Sequence, residues 1–383
     1  MTSKSYQICT RCIMDTTADD IAFYADGTCN YCTDFLAVLG AYQKPDKAEQ
    51  EKHLQQFVAQ VKQDGYGKEY DCIVGLSGGA DSSYTLYIAK KLGLRPLAVH
   101  MDNGWNSELA VHNIANLVRQ LDVDLYTHVI DWEEYRTLMQ AFFDAHVIDI
   151  ELLYDNAMQA LNYQQAAKYG IRWILAGTNT TTEGMHMPRN WNWFKHDKKN
   201  IVNIAKRFAG VSLTTFPSIG TFDYAKYKLI NKIEWVSFLD YIDYYKPTCV
   251  QTLVEELGYR PYPYKHYESV FTRFYQGYIL PTKFNVDKRK LHLSTLICSG
   301  QISRDEAIDD MKHSPYPSEA EFQADKEYFL KKMGWTAAQL EDYLNKPEIS
   351  HLAYGSEKVQ WDRIVWLYQM TFKRLKALFW PRI

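Results

Sequence analysis

The sequence predicts an α/β protein in which a parallel-sheet domain follows a small cysteine-rich segment and precedes a mostly helical region. Two Cys-x2-Cys pairs fall within the first 32 residues, short apolar runs alternate with helix-periodic stretches over residues 70–209, and tyrosine-rich sequence follows Phe216. Strands that are separated by helices favour a parallel sheet with right-handed crossovers. We place the domains at residues 1–45, 46–210 and 211–383.

The composition limits the class of protein. The chain has 383 residues, a net charge of −3, 23% charged residues and 46% apolar residues, as in ordinary globular proteins of two or three domains. This charge gives no electrostatic footprint for wrapping nucleic acid, which counts against an RNA substrate. No apolar run has the length of a membrane span, and the first residues lack the apolar core of a secretion signal. We therefore expect a cytoplasmic protein.

The cysteines are concentrated near the start of the chain. Four of the seven form two pairs separated by sixteen residues, Cys9 with Cys12 and Cys29 with Cys32. This spacing is typical of a zinc ribbon, in which four thiolates bind one tetrahedral ion. Two disulfides or a redox pair are the alternatives, although a reducing cytosol disfavours disulfides. Four sulfur ligands leave no position for substrate, so we expect the zinc to act in folding or docking.

A glycine-rich turn is the central feature of the predicted sheet domain. It lies between an apolar strand at residues 72–76 and a helix at residues 84–92. Two adjacent glycines let a ligand approach the backbone, and the first amides of the helix point towards an anion. Because the carboxylate of Asp81 would repel phosphate, we expect Mg²⁺ beside it. The residues predicted to bind phosphate are Ser77, Gly78, Gly79, Asp81, Ser82 and Ser83.

Three further strands are predicted at residues 95–101, 124–130 and 172–176. In a parallel sheet with helical crossovers, ligands bind at the carboxyl ends of the strands. The second strand ends at Asp102, and Glu183 follows the fourth after a short polar stretch. These two carboxylates are therefore candidate site residues, although either could be an ordinary surface group.

Two later segments are compatible with a binding or a structural role. Residues 185–196 combine histidine, arginine and tryptophan without periodicity, so the loop either binds a ligand or buries its tryptophans. Basic residues around a proline turn are either a solvated charge run or a phosphate clamp, for which Lys283 and Arg289 are our candidates. We also expect residues 233–245 to pack as an amphipathic helix, and residues 359–379 to form a final helix.

The glycine turn resembles the SGGxDS signature of the PP-loop ATP pyrophosphatases, a group of adenine nucleotide alpha hydrolase-like proteins, and lacks the Gly-x4-Gly-Lys-[Ser/Thr] pattern of P-loop NTPases. The whole chain resembles the N-acetyl sugar amidotransferase family of bacterial surface-polysaccharide and nonulosonic-acid pathways. The glycine loop alone would indicate only the PP-loop superfamily. The cysteine-rich start and the string HLSTLICSGQ are the features that resemble the N-acetyl sugar amidotransferase family in particular. The matching stretches are residues 8–16, 27–32, 75–83, 100–106 and 292–301.

The resemblance implies a reaction that turns an acetamido group of a sugar, expected to be nucleotide-linked, into an acetamidino group. ATP would adenylate the amide oxygen and release pyrophosphate, and ammonia would then displace AMP. The implied cofactors are ATP, Mg²⁺ and Zn²⁺. The resemblance also adds Gly177 and Asn179 to the nucleotide site, because they match the start of a Gly-x-Asn-x-x-acid motif. The acidic residue here, Glu183, comes one residue later than in that motif. The predicted catalytic residues are Asp81, Asp102, Glu183, Lys283 and Arg289.

The source of ammonia is expected to be a partner. We find no Cys-His-Glu glutaminase domain, so the family resemblance implies a separate glutaminase subunit with a cyclase-like ammonia-channelling partner, similar to the pair in imidazole-glycerol-phosphate synthase. Two other functions fit parts of the pattern. The first is a tRNA-thiolating PP-loop enzyme, which would need reactive cysteines near the loop, and the second is a non-catalytic nucleotide-sensing adapter.

Overall fold

The computed structural model describes residues 5–41, 46–262 and 267–366. The strands within these ranges are β1 (Cys72–Gly75), β2 (Pro96–Asp102), β3 (Leu125–Val129), β4 (Trp173–Ala176) and β5 (Glu234–Ser237). The helices are α1 (Asn30–Ala41), α2 (Lys47–Asp64), α3 (Ala80–Lys91), α4 (Glu108–Leu121), α5 (Trp132–Asp144), α6 (Leu152–Lys168), α7 (Thr180–Glu183), α8 (Lys198–Ile204), α9 (Thr221–Leu229), α10 (Lys246–Leu257), α11 (Val270–Phe274), α12 (Leu280–Phe284), α13 (Arg289–Cys298), α14 (Arg304–Lys312), α15 (Glu319–Met333) and α16 (Ala337–Asn345). Short π-helical turns lie at Ala205–Ala209 and Tyr275–Ile279, and 3-10 turns lie at Phe238–Tyr241 and His351–Tyr354.

The strands form one parallel sheet in the order β3-β2-β1-β4-β5. From β1 the chain adds β2 and β3 on one side, and then returns to add β4 and β5 on the other. The strand order therefore reverses between β1 and β4, at their carboxyl ends. This switch point is where open α/β sheets bind ligands.

Both faces of the sheet are covered, as the alternation of side chains in a strand requires. Ile73 of β1 packs with the buried residues of α5 and α6, whereas its neighbours Cys72 and Val74 pack with those of α2, α3 and α4. All three side chains are fully buried. The apolar runs that predicted the first four strands are therefore the central layer of the domain.

The fifth strand differs from the prediction. Residues 233–245 were expected to form an amphipathic helix, but Glu234–Ser237 pairs with β4 and a 3-10 turn follows it. The helix prediction is wrong here. The backbone of these four half-buried residues forms its hydrogen bonds with β4 at the edge of the sheet, so it does not form them within a helix. In addition, Trp235 packs its ring against Tyr163 of α6, with 5.9 Å between the centroids.

The N-terminal segment packs against the helical C-terminal region. It contains two isolated bridges, Ile8 with Asp15 and Phe23 with Cys29, and Ile13 lies in a small apolar cluster with residues of α13 and α14. A four-cysteine segment, a parallel α/β domain and a helical C-terminal region confirm the predicted fold class.

A helix that spans a membrane must be both long and apolar. No helix in the described part of the chain meets both requirements. Residues 358–366 are helical, and the remainder of the helix predicted for residues 359–379 lies outside the described residues.

Candidate active site

A cavity of about 710 Å³ opens at the carboxyl edge of the sheet. The turn between β1 and α3 forms one part of its surface, and the ends of β1, β2 and β4 form another. The remaining surface comes from α6, from residues 187–195 and from the helical C-terminal region. The cavity therefore lies at the switch point of the sheet, where the sequence predicts the nucleotide.

Gly78 adopts a backbone conformation that suits the tight turn. Its φ is +83°, a region that residues with side chains rarely adopt, and an added Cβ would lie 3.0 Å from the carbonyl oxygen of Ala110. Its own carbonyl oxygen accepts hydrogen bonds from the hydroxyls of Tyr259 at 3.1 Å and Tyr262 at 2.9 Å. These two hydrogen bonds fix the turn, although Gly78 itself is not part of the described cavity lining.

The N-terminus of α3 is arranged to bind an anion. Gly79 is the N-cap and provides no side-chain acceptor for the first amides of this helix, which leaves them for a ligand. The hydroxyl oxygens of Ser77 and Ser82 lie 3.1 Å apart, and both residues line the cavity. Gly177 of the next strand end packs closely here, because a Cβ on it would lie 2.8 Å from the backbone nitrogen of Ser82.

Ser83 lies outside the phosphate site that was predicted for it. Its side chain is fully buried, and its hydroxyl oxygen has no hydrogen-bond partner within the described ranges. Its backbone N–H donates to the carbonyl oxygen of Gly79 at 3.1 Å. Successive residues of a helix are about 100° apart around the axis, so the residue after Ser82 faces the core.

Asp81 lines the cavity, and a lysine side chain lies beside its carboxylate. One carboxylate oxygen accepts a hydrogen bond from the hydroxyl of Tyr244, and the other lies 3.0 Å from Nζ of Lys246. Burial and the nearby Asp81 carboxylate raise the pKa of Tyr244 far above its usual range, so the phenol stays protonated and donates. Lys246 was missed by the sequence analysis, because an isolated lysine before a proline belongs to no recognisable motif.

Glu183 lines the same cavity at the end of α7, and its negative charge also acts on Tyr244. Asp81 and Glu183 thus bring two carboxylates towards one side of the cavity. Carboxylate oxygens are the ligands that Mg²⁺ prefers in proteins, so the two residues have the donor type that the expected magnesium ion requires. In this structure Nζ of Lys246 lies beside one oxygen of Asp81 and the hydroxyl of Tyr244 lies beside the other.

Asn179 shapes the segment that carries Glu183. Its Oδ1 accepts hydrogen bonds from the backbone N–H of Thr182 at 2.8 Å and from the hydroxyl of Thr181 at 2.9 Å. Asn179 is buried and is absent from the cavity lining, whereas Gly177 is part of it. Among the described residues, Asn179 is therefore a helix cap behind the site and not a direct contact.

Asp102 ends β2 but does not line the cavity. Its Oδ1 accepts hydrogen bonds from the backbone N–H of Gly104 at 2.8 Å and from Nδ2 of Asn106 at 3.3 Å. The same Asn106 lies 3.2 Å from Nε2 of His100, whose Nδ1 donates to the carbonyl oxygen of Leu76 at 2.8 Å. The carboxylate of Asp102 is therefore held by residues of the loop that follows β2. The structure does not support Asp102 as a substrate contact.

Lys283 and Arg289 do not reach the glycine turn. Nζ of Lys283 donates to the carbonyl oxygens of Tyr343, at 2.7 Å, and of Lys346. Arg289 pairs with Asp287 at 2.8 Å. Neither basic residue is part of the described cavity lining, so the predicted phosphate clamp is not formed. The reason is that both cations already have local partners in the helical region.

Two other lysines do line the cavity, each paired with a carboxylate. Nζ of Lys288 lies 2.7 Å from Glu151, and Nζ of Lys195 lies 2.8 Å from Asp155 and 2.6 Å from Asp149. Burial disfavours the charge of Lys195, but the two aspartates outweigh it and raise the pKa of Lys195 above its usual range. This charged wall is contributed by α6, by the loop before α8 and by the residue before α13.

Residues 185–196 combine both roles that the sequence left open. Trp191 is buried and its Nε1 donates to the carbonyl oxygen of Thr17 at 3.1 Å. Nε1 of Trp193 donates to Asp197 at 2.8 Å. The tryptophans are therefore structural, whereas other residues of the loop face the cavity. These are Met187, Asn192 and Lys195.

The four N-terminal cysteines come together in a second, separate site. All are fully buried and unpaired by disulfides, and their sulfur atoms lie within 4.8 Å of one another. The sulfurs of Cys9 and Cys32 are 3.8 Å apart, and those of Cys12 and Cys29 are 3.6 Å apart. A tetrahedral zinc ion with Zn–S bonds of about 2.3 Å requires separations of about 3.8 Å. The cluster therefore fits a zinc ion bound by four thiolates.

Comparison with protein families divides the chain into two parts. Residues 50–186 match the NAD synthase family, and residues 268–368 match the family described as LPS biosynthesis protein WbpG-like, C-terminal domain. A comparison with curated proteins found no match.

Several solved structures are similar to the chain. An NMN synthetase from Francisella tularensis has 16% identity and a TM-score of 0.29, with 55% of this chain and 98% of that chain covered. The NH3-dependent NAD synthetase from Campylobacter jejuni, in complex with the nitrate ion, has 15% identity and a TM-score of 0.30, with coverages of 58% and 100%.

A third similar structure is the U34-tRNA thiolase NcsA from Methanococcus maripaludis with its [4Fe-4S] cluster. It has 11% identity and a TM-score of 0.33, with 70% of this chain and 81% of that chain covered. The family matches are therefore the informative comparisons. The chain joins an NAD synthase-like domain to a C-terminal domain like that of the WbpG-like LPS biosynthesis proteins.

Proposed function

We propose that this protein is an ATP-dependent amidotransferase of lipopolysaccharide and O-antigen biosynthesis. In this proposal it converts the acetamido group of a nucleotide-linked bacterial sugar into an acetamidino group and releases AMP and pyrophosphate. One observation carries the proposal. The phosphate-binding turn shares a single cavity with residues of the WbpG-like region, including Gln276, Lys288 and His292.

The turn between β1 and α3 would bind the phosphates of ATP through its free amides and its serine hydroxyls. Lys246 adds a positive charge on the same side of the cavity. Asp81 and Glu183 would hold Mg²⁺, which neutralises negative charge on the phosphates. Val99 and Met101 of β2 line another part of the cavity and offer an apolar surface to the adenine ring.

ATP is needed because an amide is a poor electrophile and its oxygen is a poor leaving group. The amide oxygen attacks the α-phosphorus, the bond to pyrophosphate breaks, and the oxygen becomes part of an AMP ester. Ammonia then adds to the activated carbon, and AMP departs. The protein would contribute mainly by positioning the two reactants and by balancing charge.

The charged wall is the proposed sugar site. Nε2 of Gln276 lies 2.9 Å from both carboxylate oxygens of Glu151, which also binds Lys288. Paired charges and amides of this kind present donors and acceptors in fixed positions, which suits the hydroxyl groups of a sugar. The carboxylates of the cavity, Glu183 among them, would also favour the cationic amidinium product.

We further propose that a separate glutaminase, with a cyclase-like channelling partner, supplies ammonia. This part of the proposal rests on the family resemblance. No cysteine is found in the described cavity lining. The same observation disfavours tRNA thiolation, which needs a reactive cysteine near the nucleotide. Purified protein that uses glutamine as well as it uses ammonium would contradict this part of the proposal.

The function is tested by measuring pyrophosphate release from ATP with a set of nucleotide-linked di-N-acetylated sugars and ammonium chloride. We expect release that depends on both the sugar and ammonium, formation of AMP, and a sugar product that is one mass unit lighter because NH replaces oxygen. Formation of ADP would refute the proposal, and so would a rate of ATP hydrolysis that does not depend on any sugar in the set.

A further inference from the structure

His292 lies on the first turn of α13 and lines the active-site cavity. Within the described lining it is the only imidazole, and it is half-buried. In the sequence it begins the string HLSTLICSGQ, and binding of ATP by the phosphate turn does not involve it.

The helix that carries His292 is fixed to the rest of the molecule at both ends. Lys290 forms an ion pair with the buried Asp15, and the hydroxyl of Ser294 accepts a hydrogen bond from the backbone N–H of Ile13 at 3.1 Å. After the helix ends, Nε2 of Gln301 donates to the carbonyl oxygen of Thr181 at 3.2 Å. The position of His292 relative to the cavity is therefore set by contacts with the N-terminal segment and with α7.

The proposed reaction requires one proton to leave the nitrogen. O-adenylation of a neutral amide gives an imidate that carries one positive charge. When ammonia adds through its lone pair, the new nitrogen carries three hydrogens and the positive charge. One of these protons must pass to a base before the carbon–oxygen bond to AMP breaks, and the remaining atoms are the amidinium cation and AMP. A base in the cavity is therefore needed once per turnover.

Three of the five carboxylates in the described cavity lining are poorly suited to accept this proton. Glu151, Asp155 and Asp81 each form an ion pair with a lysine, at 2.7, 2.8 and 3.0 Å. Protonation of any of them would break an ion pair in a partly buried place, which is costly. An imidazole, whose ordinary pKa is about 6.5, is the side chain that most often accepts a proton in catalysis near neutral pH.

We propose that His292 is the general base that takes a proton from the ammonia-derived nitrogen during attack on the adenylated amide. This inference rests on the proposed function and assigns a catalytic residue to its second step. The charged groups that face the cavity around it come from several parts of the chain. They are Lys288 before its own helix, Glu151 before α6, Asp155 of α6, Lys195, Glu183 of α7, Glu268 before α11, Asp81 of α3 and Lys246 of α10. On its other sides α13 meets α1, with the cysteine cluster, and α14, with Arg304.

The experiment separates the two chemical steps in the His292→Gln and His292→Asn variants. Adenylation is followed without ammonia as the sugar-dependent exchange of labelled pyrophosphate into ATP. Amidine formation is followed with ammonium by mass spectrometry, from pH 5.5 to 9. We expect the exchange to stay within about threefold of the wild-type rate, while amidine formation falls by about 100-fold or more and regains rate when imidazole is added.

The pH profile gives a second readout that a structural role would not produce. The acidic limb of kcat for amidine formation should be present in the wild type and absent in both variants. His313→Gln is the matched control, because His313 is a histidine at the exposed end of α14 with a side chain 75% accessible to solvent. It should leave both rates and the pH profile unchanged.

Two results overturn the inference while the proposed function stands. The first is an equal loss of exchange and amidine formation in correctly folded variants, which would make His292 a binding residue. The second is an unchanged rate of amidine formation. In contrast, a wild-type protein that shows no sugar-dependent exchange with any nucleotide-linked sugar would refute the proposed function itself.

Discussion

Lys246 and Asp81 form the ion pair at the phosphate turn, 3.0 Å apart, and this pair gives the most direct test at the residue scale. If Lys246 contacts the phosphates of ATP, Lys246→Met should raise the KM for ATP by about 10-fold to 100-fold, because a hydrogen bond to a charged group contributes about 1.5–3 kcal/mol. Lys246→Arg keeps the charge and should recover part of the loss. The measurement is the initial rate of pyrophosphate release against ATP concentration.

Lys288→Met is the matched control for that experiment. Lys288 also lines the cavity and is paired with a carboxylate, but the carboxylate is Glu151 of the proposed sugar site. This variant should raise the KM for the sugar more than the KM for ATP. The assignment of Lys246 to the phosphates would fail if both lysine variants changed the two constants in the same proportion.

Gly177 tests the close packing between β4 and the phosphate turn. A Cβ at this position would lie 2.8 Å from backbone atoms of Asp81 and Ser82, which no side-chain rotation can relieve. Gly177→Ala should therefore displace the start of α3, lower the free energy of unfolding by about 1–3 kcal/mol and weaken ATP binding. Gly40→Ala is the control, because nothing lies within 4 Å of its added Cβ. Equal behaviour of the two variants in nucleotide titrations would contradict the packing argument.

At this scale the sequence predicted the residues that act through the backbone and missed those that act through long-range contacts. Gly78 and Ser82 belong to a local motif, so their spacing is sufficient to identify them. Lys246 approaches Asp81 across 165 residues of sequence, and no local pattern encodes that contact. Lys283 was misassigned for the same reason, because its partners lie 60 and 63 residues further along the chain.

At the scale of elements, the accuracy of prediction follows burial. Strands β1 and β2 are almost entirely buried, so their continuous apolar runs are distinctive. β5 is half-buried along its whole length and contains only four residues, so its sequence resembles one turn of an amphipathic helix. A short edge strand of this kind forms because it pairs with a neighbouring strand. No local sequence pattern shows that residues 234–237 pair with β4.

His351 connects the 3-10 turn near the end of the described chain to the sheet domain. Its Nδ1 donates to Oδ1 of Asn200 at 2.7 Å, and its ring stacks on Trp193 with 4.8 Å between the centroids. Burial lowers the pKa of His351 to about 3, so the folded protein holds it neutral. Since the unfolded chain binds a proton near pH 6.5, this contribution to stability is present above that pH and is lost as the pH falls towards 3.

The resulting prediction concerns stability at pH 7 and pH 5. For His351 alone, the free energy of unfolding should fall by about 2 kcal/mol between these values. His351→Asn should be less stable at pH 7 but should show a smaller loss on acidification, because it has no group to protonate. Urea unfolding of both proteins at the two pH values checks this, and an identical pH dependence in wild type and variant would exclude His351 as a source of acid sensitivity.

At the scale of the whole molecule, the four-cysteine segment and the active site are connected through α13. Arg304 of the following helix donates to the carbonyl oxygens of Cys9 at 2.9 Å and Cys12 at 3.1 Å. Lys288, just before α13, and His292, within it, line the cavity. The four cysteines are not part of the described cavity lining. Their neighbours Ile13 and Asp15 hold the helix that does contribute to it.

Removal of the zinc should therefore affect the two substrates unequally. Without the metal the cysteine loops lose their common ligand, and α13 loses the anchors that Asp15 and Ile13 provide, so the KM for the sugar should rise. The KM for ATP should change less, because the phosphate turn is held by Tyr259 and Tyr262, whose hydroxyls bind Gly78 directly. Kinetics before and after treatment with a strong chelator, followed by reconstitution with zinc, measure both constants.

Arg304→Ala provides the same test without a chelator. This variant removes two hydrogen bonds to the cysteine loops and should accelerate zinc release to a chromogenic chelator, with a rise in the KM for the sugar that parallels the effect of metal removal. Lys312→Ala is the control on the same helix, because its side chain is 67% accessible to solvent and pairs with the exposed Asp309. If zinc loss raised the KM for ATP and for the sugar equally, the metal cluster would be supporting the fold as a whole. A rise in the KM for the sugar alone would instead show that the metal cluster acts through Lys288 and His292, which line the cavity at α13.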